Sequence, residues 1–240
     1  MIATIQPKGT DKGHTPPHLY PAQKSFEYLD SVKRGDYPRP EGVCPKCSEI
    51  PPEFKLHDQR SRLFRFIEDS LVCVIEGVLV RYKCLLCKRT FTIYPDFVLS
   101  RKWYVRSDVL DQSKRYLESS NLSYDGLLWN GTSRIGYSDD PNSFLWPSTV
   151  RRWVVWLGSQ EEYIRIALDL IRQKCPSTKI FRQVFLVPPR QYKSEAQKMV
   201  LERSRKLLGV IEEFEKYFPK YFPHFASRGW PPGPIMASGL

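Results

Sequence analysis

Four cysteines in this sequence have a spacing that suits metal coordination, because they form two Cys-x-x-Cys pairs, Cys44–Cys47 and Cys84–Cys87. A tight turn with two intervening residues points both thiolates of a pair at one position, and two such turns complete a tetrahedral four-sulfur site. Soft thiolates select zinc, and four of them leave no coordination position open for a substrate. The pattern therefore predicts a structural zinc ion held by Cys44, Cys47, Cys84 and Cys87.

Other uses of the cysteine pairs fit the sequence less well. Disulfides are rare in cytoplasmic proteins, the compartment expected here. A thioredoxin-like redox centre needs its pair at the start of a helix, and neither pair precedes a helical pattern. Cys73 lies in an apolar run and Cys175 just before a proline. We therefore expect both to be free thiols outside the zinc site.

A second group of residues suits nucleic-acid recognition and lies in the segment "LWPSTVRRWVVWLGSQ". Its apolar residues recur at i, i+3, i+4 and i+7 and predict one buried helix face: Val150, Trp153, Val154 and Leu157. The other side of its first half carries hydroxyls and arginines: Ser148, Thr149, Arg151 and Arg152. This is the distribution of a recognition helix in a helix-turn-helix, where an arginine fork can hold guanine. An ordinary amphipathic core helix with two solvated arginines would have the same pattern.

Basic residues near the second cysteine pair are candidates for contacts with phosphate groups. The chain carries 37 Lys and Arg against 26 Asp and Glu, a net charge of +11, and between Arg81 and Arg115 nine basic residues oppose three acidic ones. Such a local excess favours a polyanionic partner. We expect contacts with the DNA backbone from five of these residues: Lys83, Lys88, Arg89, Arg101 and Lys102.

Strands are expected to position the cysteine pairs. The segment "RLFRFIEDSLVCVIEGVLVRYK" is rich in apolar and β-branched residues, with breaks at Glu68–Asp69 and Glu76–Gly77. After the second pair, "RTFTIYP" predicts another strand that ends at Pro95. A cysteine turn, strands, a second cysteine turn and a strand make up the layout of a zinc ribbon.

After Pro95 the hydrophobic period becomes helical. The segment "RSDVLDQSKRYLESSN" predicts a helix capped by Ser107, with Asp108 and Asp111 in its first turn. A short piece after Ser123 and a turn-rich loop, "NGTSRIGYSDDPNSF", lead to a second helix capped by Ser148. The turn-rich loop thus places about fifteen residues between the short piece and the second helix, where a helix-turn-helix normally has three or four.

These elements together predict an α+β protein with a small β zinc ribbon, a mostly α-helical helix-turn-helix region and C-terminal helices. We expect a Pro-rich N-terminal arm over residues 1–40, the ribbon over 41–100 and the helix-turn-helix region over 101–158. A helical assembly region with an aromatic and Pro-rich tail is expected over 159–240.

The last predicted helix carries a heptad-like seam made of Val200, Leu207, Ile211, Phe214 and Phe218. The seam either docks on the chain's own helix 161–174 or supports a homodimer. Residues 194–218 and the aromatic tail are accordingly a candidate surface for a second copy or another protein.

The segment "KCLLCKRTFTIYPDFVLSRKWYVRSDVLDQSKRYLE", followed by "STVRRWVVWL", resembles an uncharacterised bacterial family of zinc-ribbon and helix-turn-helix proteins. That family is similar to the DNA-binding front ends of insertion-element transposases. The matching residues are the Tyr94–Phe97 turn and the basic aromatic patch 101–104, within a resemblance that covers about residues 40–158. The resemblance implies sequence-specific DNA binding in a mobile-element or regulatory setting.

The sequence gives little support for catalysis. A carboxylate-triad transposase needs three acids on a ribonuclease-H-like domain to hold two metal ions, whereas residues 159–240 read as helical. The chain has four histidines and no Gly-rich phosphate loop. No run of about 18 apolar residues predicts a membrane span, and the first residues lack the apolar core of a secretory signal. We therefore expect a cytoplasmic DNA-binding protein without enzymatic activity.

Two other functions fit parts of the sequence. In the first, the zinc ribbon and the C-terminal helices bind a protein partner in a transcription or recombination complex. In the second, the aromatic side chains of Phe97, Trp103 and Tyr104 stack on the bases of single-stranded nucleic acid.

Overall fold

A computed structural model describes residues 20–40, 42–95, 97–99, 102–140 and 142–218. Its elements are, in chain order, α1 (Tyr20–Lys33), β1 (Phe54–Glu68), β2 (Leu71–Cys84), β3 (Thr90–Ile93), α2 (Arg106–Glu118), β4 (Trp129–Asn130), β5 (Ser133–Arg134), β6 (Gly136–Tyr137), α3 (Pro147–Gly158), α4 (Glu161–Lys174) and α5 (Glu195–Tyr217). The predicted α+β class is confirmed. No helix in the described parts of the chain is long and apolar enough to cross a membrane.

A long antiparallel hairpin of β1 and β2 is the largest β element, paired from Phe54 opposite Cys84 to Glu68 opposite Leu71. Asp69 and Ser70 form its turn with φ values of 47° and 65°, the left-handed conformations that a two-residue hairpin turn requires. The strands are longer than predicted, because β1 begins in a polar stretch that sequence patterning did not mark as a strand.

The break predicted at Glu76–Gly77 is wrong, because β2 continues through Gly77, which lies opposite Arg62. A Cβ atom at Gly77 would lie 2.3 Å from the Phe64 ring and 2.7 Å from the Leu29 side chain of α1. The glycine therefore permits the close approach of α1 to the strand rather than ending it.

The hairpin is covered along its length, which an isolated two-stranded hairpin needs for stability. At the cysteine end, β3 pairs with β2 from Val80 opposite Ile93 to Lys83 opposite Thr90. In the middle, the Tyr28 hydroxyl of α1 donates to the Val78 carbonyl at 2.8 Å. The apolar cluster there consists of Phe64, Phe66, Leu79, Phe97, Val98 and Val105.

The segment before α2 joins the hairpin to the helices. The Arg65 amide donates to the Trp103 carbonyl at 2.9 Å, and the Val105 amide donates to the Arg65 carbonyl at 2.8 Å. This pairing fixes the start of α2 at Arg106. The predicted cap at Ser107 is therefore wrong, since the N-cap is Val105, already paired to β1.

The helices α2 to α5 pack around one apolar core that also includes Val72 of the hairpin. The predicted buried face of α3 is confirmed, because all four of its residues are buried: Val150, Trp153, Val154 and Leu157. Helix α3 begins at Pro147 with Trp146 as N-cap, so the cap predicted at Ser148 is wrong. Proline suits a first helical position because its missing N–H would have no helical partner there.

The predicted seam of α5 lies against α3 and α4 of the same chain. Leu207, Ile211 and Phe214 are buried in it, and the Ser204 hydroxyl donates to the Val154 carbonyl of α3 at 2.7 Å. The aromatic tail beyond Phe218 lies outside the described residues, as do residues 1–19 of the N-terminal arm. Dimerisation through residues 194–218 stays a prediction.

Arginines satisfy the carbonyl groups at the end of α2. Arg190 donates to the Tyr116 carbonyl at 2.8 Å and to the Ser119 carbonyl, and Arg205 donates to the Leu117 carbonyl at 3.2 Å. Cations at this end also complement the helix dipole. The segment before α5, which carries Arg190, and α5 itself, which carries Arg205, are tied to α2 in this way.

The segment predicted as a loop between α2 and α3 contains three short strands, so that prediction is wrong. Strands β4 and β5 form a small hairpin, and β6 pairs in parallel with the tip of β2, Gly136 opposite Leu71 and Tyr137 opposite Val72. Local composition does not show this pairing because its partner lies more than sixty residues earlier. Residues 119–146, all described except residue 141, connect the two helices.

A Cβ atom at Gly158 would collide with α5, lying 2.4 Å from the Val200 carbonyl oxygen and 2.7 Å from the Ser204 hydroxyl. Replacing a helical glycine by alanine normally stabilises a helix by about 1 kcal/mol. We expect Gly158→Ala to destabilise the protein instead, by about 1–3 kcal/mol, because α3 and α5 must move apart. Urea unfolding followed by circular dichroism measures this. Gly136→Ala is the control, since its Cβ meets only ordinary contacts from 3.6 Å, and an equal effect of both substitutions would contradict the packing argument.

The Asp108 carboxyl group is buried where α2 meets the hairpin. Burial raises its pKa to about 8, against a hydrogen bond from the Ile67 amide at 2.6 Å that lowers it, and the charge of Asp111 raises it further. The folded protein therefore holds a proton on this group that the unfolded chain releases above its ordinary pKa of 3.8. The contribution of this proton to the free energy of unfolding is complete below about pH 4 and is lost as the pH rises toward about 8.

We expect Asp108→Asn to gain stability relative to the wild type as the pH rises from 5.5 to 8, by up to about 1.4 kcal/mol per pH unit. Urea unfolding of both proteins across this range gives the difference in their free energies of unfolding. The contributions of the other titrating groups are the same in both proteins and cancel in this difference. Asp140→Asn is the control, because hydrogen bonds from Ser143 and Asn142 already lower the pKa of that exposed carboxyl. A difference that stays constant with pH would show that Asp108 is ionised in the folded protein.

Candidate metal centre and basic surface

The first cysteine pair forms a turn held by its own backbone. The Cys44 amide donates to the Glu49 carbonyl at 2.8 Å, and the Ser48 amide donates to the Cys44 carbonyl at 2.9 Å. Ser48 has a left-handed φ of 62°, which reverses the chain after the second cysteine. The Lys46 amide also points at the Cys44 sulfur, at 3.4 Å.

The second pair repeats this turn at the end of β2. The Cys84 amide donates to the Arg89 carbonyl at 3.0 Å, the Lys88 amide donates to the Cys84 carbonyl at 3.0 Å, and φ of Lys88 is 59°. Two segments with different intervening residues, Pro45–Lys46 and Leu85–Leu86, therefore have the same backbone conformation. In each turn this shared backbone geometry places both thiols on the same side of the turn.

All four sulfur atoms lie within 4.8 Å of one another. The Cys44 and Cys87 sulfurs are 3.9 Å apart, and those of Cys47 and Cys84 are 4.0 Å apart. A tetrahedral ion with metal–sulfur bonds of about 2.3 Å needs sulfurs about 3.8 Å apart. The four residues could therefore hold a metal ion with little rearrangement.

The thiols do not share one pKa. Burial tends to raise the pKa of Cys84, but the backbone amides of Cys87 and Leu86 outweigh it and lower the pKa to about 7. Burial raises the pKa of Cys44 to about 12. A negative charge is thus favoured at Cys84, and binding of a cation would release the protons that remain on the other thiols.

The other two cysteines lie apart from this cluster, as predicted. Cys73 lies on β2 near the hairpin tip, and burial raises its pKa. Cys175 follows α4, where hydrogen bonds from Tyr217 and Ser177 lower its pKa.

Three of the predicted DNA-contacting residues flank the cysteine cluster. Lys83 is half-buried at the end of β2, opposite Lys55 of β1, while Lys88 and Arg89 are exposed in the second turn. Arg101 lies outside the described residues.

Lys102 and the start of α3 form a second basic group. Ser148, Arg151 and Arg152 are exposed and Thr149 is half-buried. The Lys102 ammonium lies 4.7 Å from the centre of the Trp156 ring. Burial and then the nearby charge of Arg152 lower the pKa of Lys102, so two basic side chains from distant parts of the chain meet here.

The cations of this second group have no acidic partners. In the described parts of the chain, no carboxylate oxygen lies within 4.0 Å of a nitrogen of Lys102, Arg151 or Arg152. Elsewhere on the surface, by contrast, Arg165 pairs with Glu162 at 2.5 Å. Like charges held together without counter-charges repel each other, and an anion from outside would relieve that repulsion.

The two basic groups are separate. The Arg62 side chain donates to the Lys102 carbonyl, which places the second group beside the middle of β1. The stretch of β1 from Phe54, opposite Cys84, to Arg62 spans roughly 26 Å at the usual rise of a strand. The structure therefore does not gather the predicted DNA-contacting residues into one cluster, and it places them at two positions along the hairpin.

Two of the three aromatic residues predicted to stack on bases are buried, so that part of the single-strand hypothesis is wrong. Phe97 and Tyr104 are 6% and 4% exposed, whereas Trp103 is 58% exposed. Sequence analysis did not identify Arg62, Arg65 or the contact of Trp156 with Lys102. Each depends on pairing between distant segments, which leaves no local signal.

No protein-family model, curated protein or solved structure matches this chain. The family resemblance, the helix-turn-helix and the zinc ribbon therefore stay predictions, as do the domain boundaries.

The cysteine cluster predicts binding of one metal ion per chain. Titration with cobalt(II) should give the intense visible absorption of a tetrahedral four-thiolate site. Cys84→Ser should abolish this spectrum and destabilise the hairpin end, because metal binding energy is folding energy in such sites. Cys175→Ser is the control, since that thiol lies outside the cluster. An unchanged cobalt spectrum in Cys84→Ser would contradict the site.

Proposed function

We propose that this protein is a sequence-specific double-stranded DNA-binding protein with a structural zinc ion in a four-cysteine ribbon. The observation that carries the proposal is the contact of the Lys102 ammonium with Trp156 of α3, 4.7 Å from the ring centre, near the charge of Arg152 on the same helix. Neither cation has a carboxylate oxygen within 4.0 Å among the described residues. Both residues were predicted as DNA contacts from separate segments of the sequence. Their convergence gives a site for a phosphate group, and several such sites supply most of the affinity for DNA.

Helix α3 is the proposed reader of bases. Its buried face is fixed against α5, and its first turn has no acidic residue, so the positive end of the helix dipole is not compensated there. Ser148, Thr149 and Arg151 lie on this first half of the helix as the proposed base contacts. Arg152, also predicted there as a base contact, is assigned with Lys102 to the phosphate. An α-helix fits the major groove, and arginine is the commonest side chain to bind guanine there. The long connection 119–146 distinguishes this arrangement from a short-turn helix-turn-helix.

Zinc is the proposed metal because four thiolates in tetrahedral geometry select it. A closed set of four ligands suits a structural role, which here is to hold the start of β1 and the end of β2 together. Lys83, Lys88 and Arg89 would then contact DNA phosphates from the ribbon, at a distance from α3. We propose a transposition-related or regulatory role in the cytoplasm, with no catalytic activity of its own.

Selection of bound duplexes from a random 30-base-pair pool tests the proposal. The affinity for the enriched duplex and for the unselected pool is then measured by fluorescence anisotropy over a range of salt concentrations. The double variant Lys102→Ala/Arg152→Ala should bind at least about tenfold more weakly at 100 mM salt. Its salt dependence should be shallower by about two, because each phosphate contact adds about 0.9 to the slope.

The matched control is Arg165→Ala/Arg172→Ala, which removes two arginines already paired with acids on α4. An equal loss of DNA affinity in both double variants would show that only the net charge of the protein matters, and would contradict a specific role of Lys102 and Arg152. Folded, zinc-loaded wild type that binds no duplex would overturn the proposal.

A protein-binding adaptor is the second candidate, and one observation favours it. Ile50 and Leu86 are 71% and 51% exposed beside the cysteine turns, where apolar side chains suit a protein partner. Association through such a surface would weaken little with salt, whereas DNA binding would weaken steeply.

A further inference from the structure

The backbone on both sides of Trp103 is fixed while its indole is exposed. The Lys102 ammonium lies over Trp156, and the Tyr104 ring packs edge-on against Trp153 with ring centres 4.9 Å apart. Trp103, between them, is 58% exposed. The chain therefore holds a large flat ring at the surface in one position.

Arg65 braces this ring. Its guanidinium carbon lies 5.2 Å from the centre of Trp103, 5.6 Å from Tyr137 and 6.0 Å from Tyr104, distances typical of cation–π contacts. The hydroxyls of the two tyrosines are 2.6 Å apart. The Arg65 amide also donates to the Trp103 carbonyl at 2.9 Å, so the backbones of the two residues are held together.

The surroundings of the ring are cationic. In the described part of the structure no carboxylate lies within 4.0 Å of Arg65 or Arg62, and the buried Arg65 Nε has no hydrogen-bond partner there. A ligand for this place needs a flat face for the indole and a negative charge for the Arg65 guanidinium.

A nucleotide meets both needs, because its base stacks on an aromatic ring and its phosphate is an anion. The base must be unpaired at a strand end or extruded, since both faces of a base pair inside a continuous duplex are already covered by its neighbours. An apolar peptide would leave Arg65 without a counter-charge.

We propose that Trp103, braced by Arg65, stacks on an unpaired nucleobase next to the duplex that Lys102 and Arg152 hold. The protein would then prefer duplex DNA with a short single-stranded extension over blunt duplex. This inference rests on the proposed function for the neighbouring duplex, and it adds recognition of a strand end or junction.

The test compares one duplex with blunt ends and the same duplex with a four-nucleotide overhang, with 2-aminopurine at the first unpaired position. The wild type should bind the overhang form about tenfold more tightly, the effect of one stacked base. It should also quench the 2-aminopurine fluorescence. Trp103→Ala should bring the affinity ratio to about one and abolish quenching, whereas Trp103→Phe should keep part of both.

Trp129→Ala is the matched control, because Trp129 is also exposed, at 44%, but lies on β4 outside this cluster. Circular dichroism confirms that each variant is folded. Equal affinity of the wild type for both DNA forms would overturn the stacking site while leaving duplex binding intact. Binding of the overhang form alone would support the stacking site and overturn the proposed duplex binding.

Discussion

The pairing of Arg65 with the segment from Trp103 to Val105 connects the two halves of the structure. Its two hydrogen bonds attach the start of α2 to β1, four residues before the hairpin turn at Asp69–Ser70. The Tyr104 side chain extends from the same place into the helices, where its ring meets Trp153 and its hydroxyl meets Tyr137. Because β6 also pairs with the hairpin tip, the hairpin contributes Val72 to the helical core. The position of α3 relative to the cysteine cluster therefore depends on this short segment.

This arrangement places two groups of side chains at different positions along the hairpin. At one end, four thiols in two matching turns suit a metal that fixes the strands. Further along β1, the Lys102 ammonium lies over Trp156 near the charge of Arg152, and the Arg65 guanidinium lies over Trp103. The proposed DNA contacts lie roughly 26 Å apart along β1, a length that corresponds to about eight base pairs at roughly 3.4 Å each. The hairpin would act as a spacer between two contacts with one duplex.

Sequence reasoning was effective where the signal is local. Cysteine spacing selected the four thiols that the structure brings together, and helical periodicity found the buried faces of α3 and α5. It was wrong where a distant partner decides the conformation. The pairing of β6 with β2 made strands of a turn-rich loop, and the attachment of Val105 to β1 moved the cap of α2. The brace of Arg65 on Trp103 likewise required the fold, since nothing near either residue in sequence indicates the other.

The central proposal is that DNA meets the surface around Lys102 and the first half of α3. Photo-crosslinking to duplexes that contain 5-iododeoxyuridine, with the crosslinked peptides mapped by mass spectrometry, tests it most directly. We predict crosslinks in peptides that contain residues 102–104 and 146–152, with weaker ones at 83–89. Crosslinks confined to α4, or none in folded, zinc-loaded protein, would contradict the proposal.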